Sequence, residues 1–160
     1  MGYTHYFTFN KTKTPAAKVE KQYQLAVGHC QKLVRSYYKQ FGGLSGYSAH
    51  TKQGAYGGLL VNGKGDEGHE EFSLREHFKQ NEGFNFCKTA RKPYDLVIVG
   101  CLAILKHYLK DAIDVSSDGD CFDWNEGVAY AAQVTNLSLD NPIKTGRNGI
   151  NLKLQEGVRQ

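Results

Sequence analysis

The sequence lacks the features that typify membrane-spanning, secreted and zinc-stabilised proteins. Its longest apolar run, residues 96–105, is too short to cross a bilayer. Residues 1–6 have neither the basic nor the apolar segment of a signal peptide. The four cysteines are widely spaced and form no CxxC pair, so the sequence predicts neither a disulfide framework nor a zinc site. These absences predict a cytosolic protein with reduced thiols.

Motifs of the common nucleotide- and metal-dependent enzymes are missing as well. No GxxxxGKS/T, GxSxG or HExxH string occurs, and neither does an RNA-recognition signature. A net charge of +4 is mildly basic and falls well short of a protein that wraps a polyanion. We therefore expect no cofactor, no metal ion, no membrane partner and no strong affinity for nucleic acid.

Hydrophobic periodicity in the first half of the chain predicts a strand, a helix and a hairpin. Residues 3–9 alternate with a period of two and carry bulky side chains on both faces, which indicates a central strand. Residues 15–41 have apolar side chains at three- and four-residue steps, as in an amphipathic helix. Residues 44–58 are rich in glycine and serine and indicate a loop, and residues 58–62 with 70–77 predict a hairpin.

The second half of the chain completes an α+β pattern. Residues 78–86 are predicted to be a connection, 93–110 a buried helix and 112–116 a strand. A further helix is predicted from Asp123, whose spacing to Glu126 is that of a capping box. The order βαββαβ predicts a ferredoxin-like split βαβ fold with one antiparallel sheet and an additional C-terminal helix.

Residues 1–137 are predicted to form one domain, followed by a polar tail at 138–160. Within that tail Ile150, Leu152 and Leu154 alternate, which predicts an edge strand or a contact with a partner.

A basic loop before the buried helix is the first candidate site. Lys88, Thr89 and Arg91 supply the ammonium, hydroxyl and guanidinium donors that suit a phosphate. Pro93 fits the first position of a helix, whose N–H groups also favour an anion, and Asp95 fits the first turn as a partner of the helix dipole. The alternative is a solvated basic loop at a well-capped helix start.

The turn after the last strand is the second candidate. Ser116, Ser117 and Asp118 are predicted to hydrogen-bond the sugar or base of a ligand. The same turn contains enough carboxylates to hold a divalent cation, but its spacing is not that of an EF-hand and Asp118-Gly119 is also an ordinary turn sequence.

Aromatic and histidine side chains complete the candidate site. Tyr6, Tyr47 and Tyr94 are predicted to stack on a base, and His5 to contact the ligand if it faces the open side of the sheet. The alternative for His5 is an ordinary packed strand residue. Cys87 is a weaker candidate for a nucleophile, because it lies in a basic neighbourhood that lowers a thiol pKa. Further possible stacking surfaces are Tyr37, Tyr38, Tyr56, Phe84 and Phe86.

Three strings resemble small proteins encoded by bacteriophages and prophages. They are Gly2-Tyr-Thr-His-Tyr6, Lys92-Pro-Tyr-Asp95 and Val115-Ser-Ser-Asp-Gly119, and the resemblance covers residues 2–137. It implies a phage accessory protein but carries no activity with it. Small phage proteins of this size include antagonists of host immunity, and some of those sequester nucleotide second messengers.

These patterns predict a protein that binds a small phosphate-bearing, nucleotide-derived ligand in the host cytosol, possessing an uncovered sheet face that favours a homo-oligomer. Two alternatives remain. One is a phosphodiesterase or nucleotide hydrolase that uses His5 with Asp114, Asp118 or Asp120. The other is a protein-binding inhibitor of a host factor.

Overall fold

The computed structural model describes residues 2–50 and 57–144, without the side chains of Tyr47 and His50. Over these ranges the chain is α+β, with three long helices and two three-stranded antiparallel sheets. The elements are β1 (Thr4–Phe9), α1 (Ala16–Phe41), β2 (Leu44–Ser45), α2 (Tyr47–His50), β3 (Leu59–Gly63), β4 (Phe72–Leu74), β5 (Gly83–Lys88), α3 (Asp95–Leu109), β6 (Ile113–Ser117) and α4 (Cys121–Thr135).

The first sheet has the strand order β5-β1-β6, so the prediction of a central first strand is confirmed. Tyr6 lies opposite Phe86 on one side and Ser116 on the other. Because side chains alternate along a strand, these three residues share one face of the sheet. The other face of β1 carries His5 and Phe7, which are both buried.

Helices cover that buried face. Phe9 of β1 meets Tyr23 of α1 at 6.2 Å between ring centroids, and His5 meets Trp124 of α4 at 5.1 Å. The apolar helix α3 lies between α1 and α4 and is buried along most of its length. A Cβ on its Gly100 would lie 2.6 Å from Leu33 Cδ2 of α1, so a glycine is needed for the close approach.

The helices of the described ranges do not meet the requirements for crossing a bilayer. Of the long ones, α1 has 26 residues but a polar face, and α3 is apolar but has only 15 residues.

The second sheet, β2-β3-β4, packs beside the first. The predicted hairpin is confirmed, because β3 and β4 pair antiparallel and bring Leu59 opposite Leu74. A two-residue strand from the predicted glycine-rich loop adds to the other edge, where Leu44 lies opposite Gly63. Phe72 of β4 meets Phe7 of β1 at 5.4 Å, so the two sheets share one core.

The predicted single ferredoxin-like sheet is therefore wrong. The hairpin belongs to the second sheet, and its expected position beside β1 is occupied by β5. This strand lies in the segment that was predicted to be a connection. Its outward residues are Phe84 and Phe86 while its inward residues are Asn85 and Cys87, which inverts the apolar alternation that identifies a strand.

Two helix starts also differ from the predictions. The buried helix begins at Asp95 and not at residue 93. The last helix begins at Cys121, where Asp120 is the N-cap and exchanges hydrogen bonds with Asp123 in a capping box. The predicted edge strand at residues 150–154 lies outside the described residues.

Candidate functional site

His5 is the centre of a hydrogen-bonded chain that joins β1, β6 and α3. Its Nδ1 lies 2.8 Å from Ser117 Oγ, and its Nε2 lies 2.6 Å from Asp95 Oδ1. The ring itself is 0% exposed. Both nitrogens of a buried histidine are therefore paired, as buried polar groups generally must be.

The neighbours of this chain determine which atom donates each hydrogen bond. Asp95 Oδ1 also accepts the hydroxyl of Thr89, and a carboxylate oxygen only accepts, so His5 Nε2 carries the proton. In the neutral imidazole, Nδ1 is then an acceptor. Ser117 Oγ accepts the backbone N–H of Gly119 at 2.9 Å and donates its own proton to Nδ1.

Aromatic rings hold the imidazole in place. Tyr3 and Trp124 each meet it edge-on, at 5.1 Å between centroids. Burial raises the pKa of Tyr3 to about 12, with a further contribution from the carboxylates of Asp95 and Asp123. A Cβ on Gly119 would lie 2.2 Å from the Tyr3 hydroxyl, so a glycine is required where the turn passes this ring.

The loop between β5 and α3 closes the site from another side. Its backbone N–H groups at Thr89 and Ala90 donate to Tyr3 O at 3.1 and 3.2 Å. Ala90 and Arg91 have φ angles of 52° and 58°, in the left-handed region, which costs roughly 1–2 kcal/mol per non-glycine residue. The Arg91 guanidinium lies 4.0 Å from the Tyr3 ring centroid and 3.4 Å from Asp123 Oδ1.

An open groove of about 870 Å³ lies against this loop, the end of β6 and the start of α4. It carries three carboxylates, from Asp118, Asp120 and Asp123, and two cations, from Arg91 and Lys144. The remaining lining residues are Val115, Ser116, Ser117, Gly119, Pro142 and Ile143. The groove is thus polar and slightly acidic, and Ser117 of the hydrogen-bonded chain is one of its lining residues.

An exposed aromatic cluster, here called the aromatic platform, lies on the open face of the first sheet. It consists of Tyr6, Phe84 and Phe86, with ring centroids 6.1 Å apart for Tyr6–Phe84 and 6.0 Å for Phe84–Phe86. Lys88 shares this face through its pairing with Thr4. The Tyr6 hydroxyl donates to Asp118 at 3.0 Å, which joins the platform to the groove.

The structure brings the three sequence strings together around His5. Among the ten predicted ligand-binding residues, six lie at the platform, its rim or the groove: Tyr6, Lys88, Arg91, Ser116, Ser117 and Asp118. His5, Thr89 and Tyr94 are buried instead. The Tyr94 hydroxyl donates to Glu70 O at 2.6 Å, so this ring is a packing residue and offers no stacking surface. The prediction for Tyr47 falls outside the described side chains.

The candidates for other chemistry have different environments from those predicted. Burial raises the pKa of Cys87 to about 12, so the predicted low-pKa nucleophile is wrong. His5 is paired with Asp95 and not with Asp114, which instead accepts the amide of Asn10 at 2.9 Å. Within residues 2–50 and 57–144, no group of three or more His, Cys, Asp or Glu side chains could hold a metal ion.

Sequence reasoning missed the functional pairing of Asp95. It was interpreted as a partner of the helix dipole, but it lies 90 positions from His5 and meets it only through the fold. Tyr3 and Trp124 were not recognised as the walls of the imidazole site. No local pattern identifies such contacts, because each joins elements that are distant in sequence.

Comparisons with protein-family models, with curated proteins and with solved structures found no match to this chain.

Proposed function

We propose that this protein binds a small phosphate-bearing, nucleotide-derived ligand whose base stacks on the aromatic platform. The observation that carries the proposal is the exposure of two adjacent phenylalanines, 65% for Phe84 and 56% for Phe86, beside Tyr6. Soluble proteins rarely expose large contiguous apolar patches, and those that occur mark sites for ligands or partners. Flat aromatic rings on an open sheet are a common surface for base stacking.

Polar groups around the platform suit the rest of such a ligand. Ser116 lies opposite Tyr6 on the neighbouring strand β6, and Asp118 accepts the Tyr6 hydroxyl. Ser116 and Asp118 can therefore hydrogen-bond a sugar or a base amino group. Lys88 supplies a cation on the same face for a phosphate. The carboxylates of Asp114 and Asp118 would repel a polyphosphate. The charges therefore favour a mononucleotide or a cyclic nucleotide.

The proposed role is sequestration of this ligand in the host cytosol by a phage accessory protein. A binder without turnover would lower the free ligand concentration in proportion to the amount of protein made. The same platform would also suit a host protein that this chain inhibits, or a second copy of this chain, because aromatic residues are enriched at protein interfaces. The experiment must therefore distinguish binding of a small ligand from binding of either of these two proteins.

Titration calorimetry with a panel of mononucleotides and cyclic nucleotides tests the proposal. Phe86→Ala should weaken binding of the tightest ligand about tenfold, since stacking contributes roughly 1–3 kcal/mol per base. Phe41→Ala is the matched control, because Phe41 is exposed to a similar degree, 58%, at the far end of α1. The Phe41→Ala variant should bind the ligand with the affinity of the wild type.

A second variant tests the phosphate contact. Lys88→Ala combined with Arg91→Ala should weaken the same ligand, while Lys39→Ala should not. Mass spectrometry of material released from the purified protein by heating would identify a ligand that co-purifies. The proposal is wrong if no member of the panel binds, or if the double variant keeps the wild-type affinity. Light scattering that shows a dimer dissociated by Phe86→Ala would assign the platform to a second copy.

A further inference from the structure

The chain Ser117–His5–Asp95 has the connectivity of a nucleophile, a base and an orienting carboxylate. The hydroxyl lies 2.8 Å from one imidazole nitrogen, and the carboxylate lies 2.6 Å from the other. Both distances lie within the hydrogen-bond reach that general-base activation requires. Such a constellation is recognised by its geometry and roles, on whatever fold it occurs.

We propose that Ser117 is the nucleophile of an acyl-transfer centre in the groove, with His5 as its general base and Asp95 as the positioning residue. The centre does not depend on ligand binding at the aromatic platform. Along β6, Ser116 points to the open face of the sheet, whereas Ser117 points to the helix side. The nucleophile and the platform are therefore on opposite faces of one strand.

Burial of the imidazole on three sides makes the arrangement rigid. Tyr3 and Trp124 hold the ring edge-on, and Thr89 donates a second hydrogen bond to Asp95 Oδ1. Asp95 therefore keeps the proton on Nε2 and leaves Nδ1 free to accept a proton from Ser117. Of the three residues of the chain, Ser117 lines the groove, while His5 and Asp95 do not.

The reaction that fits is hydrolysis of a carboxylic ester. Ser117 Oγ attacks the carbonyl carbon, and its proton passes to His5 Nδ1. The bond from that carbon to the alkoxide oxygen then breaks, and the alkoxide takes the Nδ1 proton and leaves as an alcohol. Water attacks the resulting acyl-serine with the same nitrogen as base. The acid is released and the Ser117 hydroxyl is restored.

The charges of the groove indicate which ester would enter. Its lining has three carboxylates against two cations, so a neutral or cationic ester is favoured over an anionic one. Arg91 lines the groove, and its guanidinium lies over the ring of Tyr3, which packs edge-on against His5. The side chain is 62% exposed and can move toward the oxyanion that forms in the groove.

Labelling with a neutral fluorophosphonate tests the nucleophile directly. Attack by Oγ forms an Oγ–P bond and releases HF, so the intact protein gains the mass of one probe less HF. We expect one adduct on the wild type, and peptide mapping should place it on Ser117. Ser73→Ala removes an exposed strand serine of the second sheet and should label at the wild-type rate. Ser117→Ala should give no adduct.

Asp95→Asn tests the positioning role in a variant that keeps its nucleophile. The asparagine amide donates to Nε2 and so favours the tautomer with the proton on Nδ1, which can no longer accept the Ser117 proton. The labelling rate should fall at least about 100-fold, by analogy with the same change in serine hydrolases. Nitrogen NMR of the imidazole should report the change of tautomer, which a loss of stability alone would not produce.

The proposal is overturned if the wild type gives no adduct, or if the adduct persists in Ser117→Ala. It is also overturned if Asp95→Asn is folded by circular dichroism and labels as fast as the wild type. Hydrolysis of a neutral nitrophenyl ester, followed on the same samples, should decrease in the same order as labelling.

Discussion

The two faces of the sheet at β1 differ in which side chains they bury and which they expose. On the face toward the helices, a histidine is fully buried and has a hydrogen-bond partner at each ring nitrogen. On the open face, Tyr6 lies beside two phenylalanines that are more than half exposed. A fold stabilised only by burial would do the reverse, with the polar ring outside and the apolar rings inside.

This contrast indicates what each face contributes. A buried His5 is stable only because Ser117 and Asp95 hydrogen-bond to it. The buried face therefore holds these three side chains in a defined arrangement. Phe84 and Phe86 are exposed and so lack the stabilisation that burial would give. The open face is therefore available for contact with a ligand or partner. Three changes test whether stability depends on the first face and not on the second, and a fourth, on the surface of α1, gives a reference away from both faces.

Trp124→Ala should have the largest effect. Trp124 is fully buried against His5, and removing such a side chain costs about 3–5 kcal/mol. Phe122→Ala on the same helix is the control, because Phe122 is 49% exposed and should cost under about 1 kcal/mol. Urea unfolding of the two variants measures the difference. Equal losses would contradict the buried role of Trp124.

Asp95→Ala should come next. It leaves His5 Nε2 and the Thr89 hydroxyl without their acceptor, which should lower the free energy of unfolding by about 2–3 kcal/mol. Asp114→Ala removes an exposed carboxylate that accepts the Asn10 amide, and it should cost under about 1 kcal/mol. Thermal unfolding monitored by circular dichroism compares them. A smaller loss for Asp95→Ala than for Asp114→Ala would refute the pairing.

Phe86→Ser on the platform should leave stability almost unchanged. A surface substitution usually alters the free energy of unfolding by less than about 0.5 kcal/mol, and Phe86 has little burial to lose. The variant should unfold at the wild-type urea concentration while losing any ligand or partner bound to the platform. A large destabilisation would show that the platform is part of the core.

The smallest effect should be a pH dependence at Glu20, on the surface of α1. Burial raises the pKa of this carboxyl, but hydrogen bonds from Gln24, the Phe78 backbone N–H and His77 outweigh it, so the pKa lies below its ordinary value of 4.5. The carboxylate therefore contributes stability above about pH 4.5, and that contribution is lost as the pH falls through the lowered pKa.

Glu20→Gln should remove this acid-dependent loss while leaving the stability near pH 7 only slightly lower, because the pair with His77 is solvent-exposed. Urea unfolding at several pH values between 3 and 7 measures it. An unchanged pH profile in the variant would show that Glu20 does not contribute.

Periodicity was sufficient to predict most of the fold. It correctly located β1, α1, the β3–β4 hairpin, α3 and β6, because each has apolar residues on the buried side. It failed at β5, where the apolar residues Phe84 and Phe86 face solvent. The division into two sheets also depends on which strands pair, and no local pattern encodes that choice.

The candidate site was predictable only in part. The sequence identified Ser116, Ser117 and Asp118 because a polar turn after a strand is a recognisable local feature. It also predicted that Thr89 and Tyr94 contact the ligand, but both side chains are buried in the fold. The pairing of His5 with Asp95 depends on how α3 packs against β1, and that packing follows from the whole core.

The central position of β1 has a consequence for how the chain folds. Its two partner strands begin at residues 83 and 113, so β1 leaves the ribosome long before either partner exists. The helix α1 can form at once from local contacts, but the first sheet must close loops of about 75 and 105 residues, estimated from these separations. Until residues 83–88 have been made, β1 has neither of its partner strands, and the Ser117 partner of His5 comes later still. The apolar side of this strand therefore stays exposed for much of synthesis, and an exposed, unpaired strand is prone to aggregate.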